Sequence, residues 1–458
     1  MKSEETTESS QSSDTKQIRA KDKNHRMGQR NAFYDHSFDK NRGHGRRKMG
    51  NSKNYLYSFS QYKPGQISIP IRTGVSNALS RLNYEFSDAE DAGNSNSKIK
   101  SVASFKKSNA NKMSFVGNVP VGENIPVGSA RNILIAATWR TGSTFLGDLL
   151  NTFPGSFYFF EPLHYYSSIE HRPADLMNET NFLKSLYSCQ FDSGNIGYLH
   201  HIAKKKNRYL LSHYNPRLWR SCERILPEDI LCLLPEYLNT ICPLYPIRLV
   251  KTVRMRVSSL EDLIKDSSLH LQVIVLVRDP RGVYNSRRSG PVASWCSSDE
   301  CSNPTVSCAD LVKDLSAAFN LERAYPGTVH LVRYEDLSME PEVTARRILK
   351  FLNLPWTEAM AAYIQTHTYG EKTTYWKNNK ARKVPRKENP YGTSRNSSAT
   401  AFAWMKSLGL GDILNIQAEC SQAMQTLGYR LINQENELKL ISNPVERTAV
   451  DIWPNNVH

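Results

Sequence analysis

Nowhere in this 458-residue chain is there an apolar run approaching the roughly 20 residues that a membrane-spanning helix requires. No basic-then-apolar secretory signal follows Met1. The first 130 residues lack cysteine and any sustained hydrophobic period, and they are rich in Ser, Asn, Lys and Gly. Such a segment cannot bury enough apolar surface to order itself, so residues 1–128 read as a disordered basic arm. Over that stretch 21 Lys and Arg face 12 Asp and Glu, within a whole-chain net charge of +15. Its basic residues are diluted by acids and Ser, which suits a solvated stem better than a nucleic-acid-binding tail. Paired C-x-x-C knuckles are missing as well: Cys296, Cys301 and Cys308 are spaced too unevenly for zinc, and no metal is expected. The remaining cysteines are Cys189, Cys222, Cys232, Cys242 and Cys420, an even total of eight that suits disulfides in an oxidising lumen. Eight buried thiols is the alternative. Two acceptor sequons for N-glycosylation, at Asn178 and Asn396, agree with the luminal reading.

What is present begins at Ile133. An apolar run ends at Thr138 and a short loop follows, Trp139-Arg140-Thr141-Gly142-Ser143-Thr144. An amphipathic run then opens with Phe145 and Leu146. That order is buried strand, tight loop, helix. Backbone N–H groups at such a helix start, aided by the helix dipole, form a cradle for phosphate or sulfate. Arg140 adds a fixed charge, and Thr141, Ser143 and Thr144 add hydroxyl donors. The loop contains no Lys, so it is not a Walker A sequence, and a nucleotide kinase or P-loop hydrolase is disfavoured.

A second strand-to-loop junction has the same character. The run 271–277 leads into Arg278-Asp279-Pro280, with Ser286 two turns along the next helix. Asp279 suits an N-cap and Pro280 the first helical turn. Arg278 and Ser286 are expected to hold one phosphate together. Two anion sites at strand ends of one parallel sheet imply a ligand with two separated anionic groups, such as a nucleotide with a 5′ anhydride and a 3′-phosphate. Strands are predicted at 132–137, 157–160, 248–255, 272–277 and 329–332, and helices at 143–152, 258–265, 281–288, 309–324 and 341–352. The alternation gives an α/β fold, a P-loop-like three-layer sandwich around a central parallel sheet. One catalytic domain is expected over 131–432, with an irregular tail over 433–458. A Cys-bearing helical insertion over 178–239 is expected to shape the acceptor groove.

The pair RTGSTF and LVRDPRGVYNSR resembles the 5′-phosphosulfate and 3′-phosphate elements of sulfotransferases, and more narrowly the Golgi carbohydrate 6-O-sulfotransferases. The runs FFEPLH (159–164), VRYEDL (332–337) and YGTSR (391–395) fit in order. The resemblance implies the donor 3′-phosphoadenosine 5′-phosphosulfate, a glycan or proteoglycan acceptor, and a sulfotransferase-type sandwich. It also implies Golgi residence through an N-terminal anchor. No anchor is visible here, so the chain is expected to be truncated. A non-catalytic binding protein on the same scaffold and a cytosolic-type small-molecule sulfotransferase are the alternatives.

Sulfuryl transfer needs a base for the acceptor hydroxyl and a cation for the leaving phosphate. Glu161 is the candidate base, with partial burial among aromatics expected to raise its pKa. A structural ion pair with an Arg is its other reading. His164 is the runner-up base. Arg140 is the candidate leaving-group stabiliser. Thr393, Ser394 and Arg395, with Tyr391, resemble a late loop that closes over the nucleotide. Lys251 and Arg254 either bind an acidic glycan or line a solvated strand end.

Overall fold

Five apolar segments pair side by side to form the centre of the molecule: β1 (Arg131–Ala137), β2 (Ser156–Phe160), β3 (Ile247–Thr252), β4 (Leu271–Val277) and β5 (Val329–Arg333). This is a computed structural model. The residues it describes are 130–446 except 154, 168–177, 193, 224–230, 370–373, 378–379 and 384–391. The backbones of two two-residue strands, Ser68–Ile69 and Phe115–Val116, are described too and pair antiparallel.

The sheet order is β2-β3-β1-β4-β5, and every neighbouring pair is parallel. Leu134 lies level with Val250 of β3 and Val273 of β4. Both faces are covered, as near-continuous apolar strands require. Because side chains alternate, one strand feeds two cores. Ile133 and Ile135 join Leu146, Leu149, Ile348 and Leu349 on one face. Leu134 and Ala136 join Leu183, Leu238, Leu260 and Ile416 on the other. The three-layer sandwich with a central parallel sheet is therefore observed.

β2 is an edge strand, and an exposed edge invites unwanted pairing. Asn215 closes it: its Oδ1 accepts from the Tyr158 amide at 2.9 Å and its Nδ2 donates to the Tyr158 carbonyl at 2.8 Å. Asn215 belongs to the insertion, whose helices include Glu179–Tyr187, Ile196–Ala203 and Pro235–Ile241. Two disulfides staple that insertion, Cys189–Cys242 and Cys222–Cys232. Cys296–Cys301 and Cys308–Cys420 complete the set, leaving no free thiol.

Several expectations need correction. The strand expected over 248–255 stops at Thr252, because the Thr252 hydroxyl takes the Arg254 amide at 3.1 Å and turns the chain. The helix expected over 258–265 is a 3-10 turn, Val257–Leu260, continued by Glu261–Ile264. The helix expected from 309 begins earlier, at Pro304, where Asn303 accepts from the Thr305 amide and Pro304 opens the first turn. Within the stretch read as an irregular tail, Glu435–Leu440 is helical, started by a reciprocal cap between Gln434 and Glu437. A helix, Tyr334–Met339, also leaves β5 directly. Within it Asp336 pairs with Arg333 at 2.8 Å. Glu335 accepts from the Tyr429 hydroxyl at 2.6 Å and the Asp279 amide at 3.1 Å.

Candidate active site

Strand order decides where chemistry can occur. β1 and β4 are neighbours, and the connection leaving β1 runs toward β2 at one edge while that leaving β4 runs toward β5 at the other. Ligands of open parallel sheets bind beyond the carboxyl ends of strands at such a switch point. The loop after β1 carries Arg140, and the loop after the adjacent β4 carries Arg278. Glu161 follows β2, and Lys251 and Arg254 lie at the end of β3. Four neighbouring strand ends thus carry five charged groups.

The β1 loop is tightly wound. Arg140 has φ 75° and Gly142 φ 90°, both left-handed. At Gly142 a Cβ would sit 2.4 Å from the Tyr334 ring, so only glycine fits. Gly142 caps the helix Ser143–Asn151 without any side-chain hydrogen bond, so no side chain competes for the first-turn amides. Thr141 is buried and its hydroxyl donates to the Thr138 carbonyl at 2.9 Å, fastening the turn. Ser143 is buried, whereas Thr144 is partly exposed. Phe145 packs on Tyr363, whose ring stacks on His367.

Arg278 and Ser286, expected to share one phosphate, each make a different contact within the protein. Ser286 accepts from Arg140 Nε at 3.0 Å. Arg278 instead donates from Nη1 to the Arg140 carbonyl at 2.9 Å and from Nη2 to the Thr400 carbonyl at 3.2 Å, and it lies over the Tyr334 ring. The reason is geometric: Arg278 sits at the strand end, level with the neighbouring loop's carbonyls, whereas Ser286 is two turns along the helix Pro280–Arg287. The Arg278 Nε is buried with no hydrogen-bond partner, leaving one donor unsatisfied. Both anion loops are thereby tied into one unit.

Arg287, unnoticed in the sequence, braces that unit: it is buried and donates to the Trp139 carbonyl at 3.2 and 3.1 Å and to the Cys301 carbonyl at 2.8 Å. The Trp139 ring lies edge-on to Trp295 and beneath Arg254.

Glu161 is buried with two cations. Its Oε1 accepts from Lys251 Nζ, and its Oε2 accepts from Arg254 Nη1 at 2.5 Å. Burial pushes its pKa up, but Lys251, Arg254 and the attendant hydrogen bonds together hold it below the ordinary glutamate value of 4.5. The expected upward shift is therefore corrected, and the other reading of Glu161, an ion pair with an Arg, is what the structure shows, with Lys251 as a second cation. Lys251 and Arg254 do not line a solvated strand end; both are committed to this carboxylate. His164 follows one turn later, its amide donating to the Glu161 carbonyl at 2.9 Å. Burial first, then the charge of Arg254, pushes His164 down to about 4.

Thr393, Ser394 and Arg395 run along the end of the helix Glu358–Thr368. Ser394 donates to the Thr366 carbonyl at 3.1 Å, and the Arg395 amide donates to the His367 carbonyl at 2.9 Å. The helix that follows, Ser397–Ala401, carries the Thr400 carbonyl that Arg278 reaches. Tyr391 lies outside the described residues. Both sequon asparagines are exposed helix caps: Asn178 accepts from the Asn181 amide and Asn396 from the Ala399 amide. Among the described residues, no group of three or more His, Cys, Asp or Glu could hold a metal ion, and no helix is long and apolar enough to cross a membrane.

A glycine-turned loop at a helix start, a second arginine beside it and a carboxylate paired with two cations thus lie at neighbouring strand ends. Comparison with known proteins gives these parts a family. Residues 130–428 match the sulfotransferase domain family. Carbohydrate sulfotransferase 1 of Mus musculus is 31% identical over 355 residues, covering 67% of this chain and 81% of the relative. Carbohydrate sulfotransferase 5 of Homo sapiens is 26% identical over 350 residues, covering 68% of this chain and 80% of the relative. Among solved structures, the sulfotransferase domain from the Synechococcus PCC 7002 olefin synthase aligns with a TM-score of 0.35 and 19% identity, covering 69% of this chain and 98% of that one. The chain belongs to the carbohydrate sulfotransferase family and is a sulfotransferase.

Proposed function

We propose that this enzyme transfers a sulfuryl group from 3′-phosphoadenosine 5′-phosphosulfate to the 6-hydroxyl of galactose or an N-acetylhexosamine in a glycan or glycosaminoglycan. The observation that carries this reading is the convergence of Arg140, Arg278 and Glu161 at the strand ends beside the switch point of one sheet. The loop amides from Thr141 to Thr144 and the Arg140 guanidinium hold the 5′-phosphosulfate. Arg278 and Ser286 hold the 3′-phosphate, Ser286 donating its own proton while it accepts from Arg140. The acceptor oxygen attacks sulfur in line with the departing phosphate, and its proton passes to Glu161. The S–O bond to the 5′-phosphate breaks, and the charge left on that phosphate is met by Arg140 and the loop amides. Trp139, Phe145 and the run Thr393–Ser394–Arg395 flank the nucleotide. The four disulfides and the exposed sequons suit a glycoprotein of an oxidising compartment, which for this family reads as the Golgi lumen.

The test is incubation of the chain with sulfur-labelled donor and a panel of keratan, chondroitin and heparan acceptors. Label at the 6-position of galactose or an N-acetylhexosamine is expected; transfer confined to small phenols or alcohols would overturn the reading. In parallel, calorimetry with adenosine 3′,5′-bisphosphate should show binding weakened by about 1.5–3 kcal/mol for each charged hydrogen bond lost in Arg278→Ala. Equal affinity of the wild type for adenosine 5′-monophosphate would show that the 3′-phosphate is not recognised.

A further inference from the structure

His164 and His201 meet ring to ring, with Nδ1 of His164 3.0 Å from Nε2 of His201. One of those nitrogens must donate and the other accept. Asn207 decides which. Its Nδ2 donates to the His201 carbonyl at 3.0 Å, which fixes the end of the amide that carries hydrogens. The same nitrogen lies 3.4 Å from His201 Nδ1. An amide nitrogen donates and offers no lone pair, so His201 Nδ1 is the accepting, unprotonated nitrogen. The single proton of His201 is then on Nε2 and is given to His164 Nδ1. His164 in turn carries its own proton on Nε2.

Both rings must be neutral for this chain of bonds to close. Burial pushes each of them down to about 4, with neighbouring positive charge acting in the same direction. His201 and Asn207 are only 5% and 4% exposed, so water does not compete for the arrangement. His164 is half-buried, one helical turn past Glu161, and its ring lies within the field of Arg254 and Glu161.

This orientation is the reverse of what a general base needs, because the free lone pair of His164 is already used and its other nitrogen is protonated. We propose that His164 donates its Nε2–H to an oxygen of the acceptor sugar, and that His201 and Asn207 are positioning residues that hold it in the donating tautomer. The proposal rests on the sugar-sulfating function above and narrows it: His164 orients the acceptor, while the proton of the attacking hydroxyl goes elsewhere.

The experiment has two arms. Nitrogen-labelled histidine in the intact chain reads the tautomer directly by NMR, without any turnover. His164 protonated on Nε2 and unprotonated on Nδ1 is expected, with a mixture of tautomers in His201→Phe. The opposite tautomer in the wild type overturns the proposal. The second arm is kinetic. Gln at position 164 can present an amide N–H near the place of Nε2, so His164→Gln should retain most turnover. His164→Ala and His201→Phe should each raise the acceptor KM about tenfold, the size expected for one neutral hydrogen bond. Affinity for adenosine 3′,5′-bisphosphate should stay as in the wild type, which separates mispositioning from misfolding. If His164→Gln loses turnover as completely as His164→Ala while nucleotide binding is intact, His164 is a base and the proposal is wrong. A wild type that sulfates no sugar would overturn the underlying function, and the tautomer would still be read independently.

Discussion

Glu161 and Arg140 both have left-handed backbones, at φ 50° and 75°, in a chain where such residues are few. Strain of that kind in a non-glycine residue persists only where surrounding structure over-determines it, and it gathers at functional sites. For Glu161 the surroundings are Lys251 and Arg254. They keep it ionised, so as a base it relies on position rather than on a matched pKa. Glu161→Gln should therefore slow single-turnover transfer by about 10²-fold, the lower end of the general-base range. It should also destabilise the fold by about 3–5 kcal/mol, because Lys251 is left buried without its counter-charge. The double variant Glu161→Gln with Lys251→Met removes that buried charge. It should recover thermal stability and not rate; recovery of both would make Glu161 a structural residue. The pH dependence has a definite sign. The carboxylate's folded pKa lies below its ordinary 4.5, so the stability from this cluster is fully present above about pH 4.5 and is lost as pH falls through the folded value. An acid limb near pH 6 in the rate of the wild type would have to come from another group.

At the scale of elements, the junction between β1 and its following helix sets the precision of the proposed donor site. Gly142 is the hinge of that junction, pressed against Tyr334, which in turn lies under Arg278. Gly142→Ala costs about 1–2 kcal/mol for the left-handed conformation alone. Its Cβ must also displace Tyr334, and Arg278 with it. Affinity for adenosine 3′,5′-bisphosphate should fall more than about tenfold, while thermal unfolding shifts only modestly because the two cores are untouched. Unchanged affinity in a folded Gly142→Ala protein would mean that this loop does not cradle the donor. The sequence marked this loop and the loop after β4 by their Arg, Gly and Pro residues. It did not mark Arg287, Asn215 or Thr400, because a brace for a distant carbonyl has no local pattern.

At the scale of the molecule, Cys308–Cys420 joins the helix Pro304–Ala324 to the helix Leu410–Thr426 across 112 residues of chain, whereas Cys296–Cys301 spans 5. Constraint of the unfolded chain grows with loop length, from about 2 kcal/mol for the short loop to about 4.7 for one of roughly 100 residues. Paired Cys→Ser replacement at Cys308 and Cys420 should lower the denaturant-derived stability of the oxidised protein more than the same change at Cys296 and Cys301. The reverse order would show that the short bridge is worth more through its packing with Val292, Trp139 and Trp295 than the long one is through chain entropy.

The local sequence determined the five strands, the two basic loops and the even set of cysteines, because apolar periodicity, glycine conformation and helix capping act over a few residues. It also carried the family resemblance, which rests on short motifs in order. Tertiary structure alone decided which loops are neighbours. β1 and β4 are adjacent only through the strand order, and that order places Arg140 against Ser286, 146 residues away. The same holds for Glu161 with Lys251, 90 residues apart, for His164 with His201, 37 residues apart, and for the cysteine pairing. These contacts reverse the pKa shift foreseen for Glu161. Burial can be guessed from composition, but the sign of a buried group's pKa shift depends on which charges and hydrogen bonds the fold brings within a few ångströms of it.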